Sequence, residues 1–108
     1  MSSPRRSKIE AMLADEPLDQ FLRYSLALEL EKEAEHDASL NHLASLQRDA
    51  TPYVPSFFMA AQQLTRLGRV DDARATLRSG IEEARRQGDA HAAAEMSEFL
   101  IGLGGHGE

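Results

Sequence analysis

The sequence contains no cysteine and no tryptophan, and only two tyrosines, four phenylalanines and two valines. Without cysteine there is neither a disulfide framework nor a thiolate metal site, so nothing in the chain requires an oxidising compartment. The scarcity of good strand formers removes the material of a sheet. No apolar run approaches the roughly 20 residues that span a bilayer. The N-terminus carries Arg5, Arg6 and Lys8 without the apolar stretch of a secretory signal. Positive charge is also short: 12 Lys and Arg stand against 18 Asp and Glu, a net charge of −6. A general nucleic-acid binder needs a basic face to displace counterions from phosphates, and Arg5-Arg6 and Arg85-Arg86 are isolated pairs. The expectation is a cytoplasmic protein, monomeric or weakly homo-oligomeric, whose partners are neither membranes nor nucleic acids.

What is present favours helix. Alanine, leucine, glutamate, glutamine and arginine dominate, and they lose least on entering one. A length of 108 residues with 42% hydrophobic content suits one domain around one core. Met1 to Arg6 is polar and expected to fray. Ser7-Lys8-Ile9-Glu10 reads as a capping box that opens a short helix ending before Pro17. A second helix is expected from about Leu18 to Glu31, with Phe21, Tyr24, Ser25 and Leu28 on one face and Leu22, Leu26 and Leu30 beside them. A third starts near Asp37 and carries Leu40, Leu43, Ala44 and Leu46. Pro55 fits the first turn of a fourth helix, which Gly68 ends. Asp71-Asp72 and Arg85-Arg86 place acid and base at the favourable ends of a fifth. Asp89 opens a sixth with Ala92, Ala93, Met96, Phe99 and Leu100, and a glycine-rich tail from Gly102 to Glu108 is expected to be disordered.

The chain resembles itself at a spacing of about 35 residues. Pro17 recurs as Pro52; Phe21, Tyr24, Ser25 and Leu28 recur 36 positions on as Phe57, Ala60, Ala61 and Leu64; Ala38 recurs as Ala73. With Gly68 at the turn, Leu77 and then Gly80, this pattern resembles the tetratricopeptide repeat, a helical hairpin of 34 residues. The first copy departs from it: it lacks the turn glycine, and His42 stands where a large apolar residue is expected. The resemblance implies an all-α superhelix of antiparallel helix pairs, six helices in all. Its parts would be a half-repeat helix at 7–16, a degenerate repeat at 17–51, a second repeat at 52–88, a capping helix at 89–101 and the tail at 102–108. Phe21 and Phe57 would occupy equivalent slots.

A search for chemistry returns little. His36, His42, His91 and His106 show no spacing that would converge on zinc. Glu29, Glu31, Glu33 and Glu35 read as a solvated acidic edge, and Glu82-Glu83 with Arg85-Arg86 as helix-surface pairing. No serine has a nucleophile elbow around it, and the terminal glycines precede no helix that could cradle a phosphate. No enzyme, metal or cofactor is expected.

The resemblance implies instead a protein or peptide partner, held on the concave wall that the first helix of each repeat lines. The residues one step around from the core stripe are Leu22, Leu26 and Glu29 in the first copy and Phe58, Met59, Gln62 and Arg66 in the second. Members of the family that grip the C-terminal carboxylate of chaperones place lysine and asparagine there; Leu22, Leu26 and Met59 argue against that ligand class. An apolar floor with a polar rim suits a few hydrophobic anchors. The same residues are core if the first or sixth helix folds over them, and the same apolar face would serve a structural subunit or homo-oligomer.

Overall fold

The computed structural model describes residues 3–104, so residues 105–108 of the expected tail lie outside the described part. Among the described residues there are six helices and no strand: α1 (Pro4–Asp15), α2 (Gln20–Lys32), α3 (His36–Gln47), α4 (Pro55–Arg66), α5 (Val70–Arg86) and α6 (Ala90–Gly102). The chain divides after Tyr53 into two compact units. In the first, α1 and α3 pack on α2; in the second, α4 and α6 pack on α5.

Three of the helix junctions use one hydrogen-bonded turn. After α2, the Ala34 N–H donates to Glu31 O (2.9 Å) and the Glu35 N–H to Leu30 O (2.9 Å). After α4 the same bonds run from Gly68 to Thr65 (3.0 Å) and from Arg69 to Leu64 (2.8 Å). After α5 they run from Gly88 to Arg85 (3.1 Å) and from Asp89 to Ala84 (2.8 Å). Each places one residue in the left-handed region, with φ of 61° at Ala34, 79° at Gly68 and 78° at Gly88. This is the Schellman closure, which satisfies two carbonyls left open at a helix end. The first copy therefore has the family's turn after all, with alanine in the glycine position.

Ala34 and Gly68 lie 34 residues apart, and this anchor corrects the 36-residue alignment read from the sequence. At a spacing of 34, Leu26 pairs with Ala60, Ala27 with Ala61, Leu30 with Leu64, Ser39 with Ala73 and Leu43 with Leu77. All ten are at most 7% exposed. Phe21, by contrast, is 64% exposed while Phe57 is 5% exposed, so the two rings are not equivalent. The residue matching Phe57 is Arg23. Its half-buried guanidinium donates to both Asp49 oxygens (2.6 and 3.1 Å) and to the Ser45 hydroxyl (2.8 Å). The small residue at the helix crossing is Ser39, not Ala38, and the large apolar slot belongs to Leu43, not His42. Burial, with Arg23 and Arg6 nearby, lowers the His42 pKa and favours its neutral form.

The N-terminus also differs from expectation. The cap of α1 is Ser3, whose hydroxyl accepts from the Arg6 N–H (3.0 Å), and Pro4 follows at the first helical position. Ser7 thus lies inside the helix. Arg6, expected to fray, donates to Glu33 (2.9 Å), Glu35 (2.8 Å) and Glu10 (3.2 Å). The bonds to Glu33 and Glu35 tie α1 to the α2–α3 turn, while Ile9 packs with Leu26 and Leu30 beneath it. At the other end, Gly102 is helical and Leu103 caps α6.

In the second unit, Gly80 marks a close approach of three helices. A Cβ there would lie 2.6 Å from both the Met96 sulfur and the Phe57 Cβ. Part of that obstruction is next to the backbone of α4 and cannot simply swing away. Gly80→Ala is expected to cost about 1–3 kcal/mol in urea unfolding. Ala34→Gly is expected to do the reverse. An L-residue in this conformation costs about 1–2 kcal/mol and the entropy of glycine returns about half of that. A net gain of about 0.5–1 kcal/mol should appear as a higher melting temperature. The Arg23 guanidinium, then the Gln20 amide, holds the Asp49 carboxyl below its ordinary value of 3.8. The folded state thus binds this proton less readily than the unfolded chain. The stabilisation is complete above pH about 4 and is lost as the pH falls through the lower folded value. Asp49→Asn should flatten the acid limb of a stability-against-pH curve below pH about 4.

Candidate protein-binding faces

The expected wall residues have different fates in the two units. In the first, Asp19 caps α2 by accepting from the Leu22 N–H (2.8 Å), and the Leu22 side chain is half-buried. Leu26 is a core residue, enclosed with Ile9 and Leu30, against which Leu13 and Ala38 pack. It is therefore withdrawn from the surface: the first helix folds over it. Glu29 is 5% exposed, and its carboxylate is met by Lys32 (3.1 Å) and Arg5 (3.3 Å), both reaching in from solvent. Two cations on one shielded carboxylate make a structural pairing, and Glu29 offers a partner little.

The other end of α2 is more open. Leu18 is 83% exposed and Phe21 is exposed beside it. Gln20 bridges to Asp49 (2.9 Å) and to the Thr51 carbonyl (2.8 Å), and the Tyr24 and Tyr53 rings pack with centroids 5.3 Å apart. Arg23 and Asp49 were not singled out from the sequence. A 34-residue comparison anchored on the turn would have found Arg23, because it stands in the slot of a buried aromatic.

In the second unit the wall residues stay accessible. Phe58, Met59 and Gln62 are half-buried and Arg66 is exposed, at the spacing of one helix face. Phe58 meets Phe99 of α6 edge-on, ring centroids 5.4 Å apart and planes at 72°. The two rings, with Leu103 and Gly102, border an open cleft of about 460 Å³ whose remaining walls are Glu95 and Glu98. Sequence reading placed Phe58 on this face but missed its partners on α6. Nothing in the sequence fixes which face of the last helix turns towards α4. Apolar walls with a few polar groups at the edge can hold a side chain of a partner and orient it.

No three histidine, aspartate or glutamate side chains come together as a metal site would require, among the described residues. None of the described helices is long and apolar enough to cross a membrane.

No model of a known protein family matches the chain, and no curated protein matches it either. Two solved structures do. One is the solution structure of a tetratricopeptide repeat domain protein from Salinibacter ruber. It is 31% identical, with a TM-score of 0.75, and the match covers 81% of this chain and 88% of that one. The other is the solution structure of a protein from Bordetella parapertussis. It is 30% identical with a TM-score of 0.76, covering 96% of this chain and 90% of that one. Identity at this level over nearly the whole of the Salinibacter domain, together with the recurring turns and the 34-residue burial pattern, places this chain in the tetratricopeptide-repeat family.

Proposed function

We propose that this chain is a non-catalytic protein-interaction module of the cytoplasm, and that it binds a peptide or protein segment along α4. The observation that carries the reading is the accessible aromatic cleft between Phe58 and Phe99, continued along α4 by Met59, Gln62 and Arg66. Helical repeat modules of this family generally serve protein interaction; the positions of α2 that match this face at a spacing of 34 are Tyr24, Ser25, Leu28 and Lys32, where Tyr24 packs on Tyr53 and the Ser25 hydroxyl donates to the Phe21 carbonyl. Recognition then rests on the second unit: Phe58 and Met59 supply adaptable apolar contact, while Gln62 and Arg66 supply polar contact at its edge.

The structural-subunit reading draws on the exposed Leu18, Phe21 and Ile101, which a permanent interface would cover. Sedimentation at two concentrations separates the two readings, since self-association that buries these residues would shift the mass.

Selection of random displayed peptides on the immobilised full chain tests the interaction reading. Peptides enriched on the native chain should lose about tenfold or more in affinity for Met59→Ser and for Phe58→Ala, as expected when an apolar anchor is truncated. Circular dichroism would establish that both variants remain helical. Equal binding to the native chain and both variants, or no enrichment at all, would count against the face on α4.

A further inference from the structure

The cleft on the second unit has a chemical bias that narrows what can occupy it. Its floor is aromatic and aliphatic, from Phe58, Phe99 and Leu103, whereas the charged residues that line it among those described, Glu95 and Glu98, are both acidic. Among the described residues neither acid is paired with a lysine or arginine. Glu95 is half-exposed and approached at 3.6 Å by His91, which carries charge only when protonated. Glu98 is exposed and has no cation paired with it among the described residues. Arg74 donates to the Leu103 carbonyl (3.1 Å) at this edge, and Asp71 offsets its charge at 3.1 Å. The chain as a whole carries a net charge of −6, so the field around the cleft adds to that of its rim.

Charge complementarity selects the occupant. We infer that the cleft receives a cationic–apolar segment of a partner protein: one apolar side chain entering between Phe58 and Phe99, with lysine or arginine close by in sequence to meet Glu95 and Glu98. The inference rests on the interaction reading above and specifies its partner class. An acidic segment would bring like charges together at the rim. A neutral apolar segment would leave both carboxylates facing it without a partner. Arginine gains further where its planar group stacks on the face of one of these rings.

Two displayed-peptide libraries with the same apolar positions test this, one flanked by lysine and arginine and the other by aspartate and glutamate. Enrichment on the full chain is expected from the basic library alone. Peptides so obtained should bind about tenfold more weakly to the Glu95→Lys/Glu98→Lys double variant, and more weakly as salt is raised. Glu95→Gln/Glu98→Gln should fall between the native chain and the reversed one. Both acids are exposed, so the fold should survive, with circular dichroism as the check. Comparable enrichment from the acidic library, or binding unmoved by the double variants, would overturn the inference. If such peptides were still lost in Phe58→Ala, peptide binding on α4 would stand while the charge assignment fell. No enrichment from either library would remove both.

Discussion

The fold depends on how closely two helices approach where small residues face each other. Ala27 and Ser39 in the first unit, and Ala61 and Ala73 in the second, are fully buried and carry almost no side chain. Where they meet, backbones rather than side chains set the distance between helices, and large residues one turn away fill the space left on either side. Leu30 and Leu43 stand one turn from the small residues in one unit, Leu64 and Leu77 in the other, and all four are buried. In the first unit the crossing also carries a hydrogen bond. The Ser39 hydroxyl donates to the Ala27 carbonyl at 2.6 Å, so a polar atom that would be costly in an apolar interior is satisfied by the helix it touches. A larger side chain at any of these four positions would force the helices apart and expose the leucines.

That constraint explains why the turns matter as much as the stripes. A helix crossing built on small residues tolerates little slippage, because a one-residue shift takes each small residue out of the contact and brings Leu26, Leu28, Leu40, Gln62, Asp72 or Arg74 towards it in most directions. The repeated turn sets the register. It fixes the last turn of one helix and the start of the next, through bonds that close at Leu30, Leu64 and Ala84. In the two repeats the small residue of the following helix then arrives five positions after the left-handed one: Ser39 after Ala34 and Ala73 after Gly68. The third turn repeats this with Ala93 after Gly88, and Ala93 is buried in its turn. Turn and crossing are thus one unit of sequence, and the leucine pattern follows from it.

Much of this was legible in the sequence, and the part that misled has a physical origin. Helix number, helix type, the prolines and glycines between helices and the family resemblance follow from propensity and breaker residues. Phe21 distorted the register because an aromatic residue dominates any hydrophobic comparison, whereas alanine and serine at a crossing contribute almost nothing to it. Aligning Phe21 with Phe57 displaced the first repeat by two residues and hid the equivalence of Ala27 and Ala61. Arg23 was overlooked for the converse reason. Its slot is apolar in the second repeat, and a long aliphatic stem ending in a fork that Asp49 and Ser45 can satisfy fills it, while its charge reads as surface. Ala34 escaped notice because only the strain at φ 61° reveals that it does the work of a glycine.

The candidate site illustrates a different limit. Composition and periodicity place Leu26 and Met59 on comparable faces of comparable helices, yet at a spacing of 34 Leu26 matches the buried Ala60 and Met59 the half-buried Ser25. What separates them is first the register, and then a third element. In the first unit α1 packs on α2 and is held there by Ile9 below and by Arg6 bound to Glu33 and Glu35 above. Leu26 and Leu30 of α2 are consumed in closing that unit. In the second unit α6 packs on α5, and it reaches α4 through Phe99 edge-on to Phe58. An edge contact leaves part of each ring uncovered, and the apolar arc of α4 is only half used. The difference between a buried position and an open one therefore lies in the register that the turn sets and in which helix of the pair receives the flanking helix. That choice is made by residues distant in sequence from the face itself, which is why reading α2 and α4 alone could not make it.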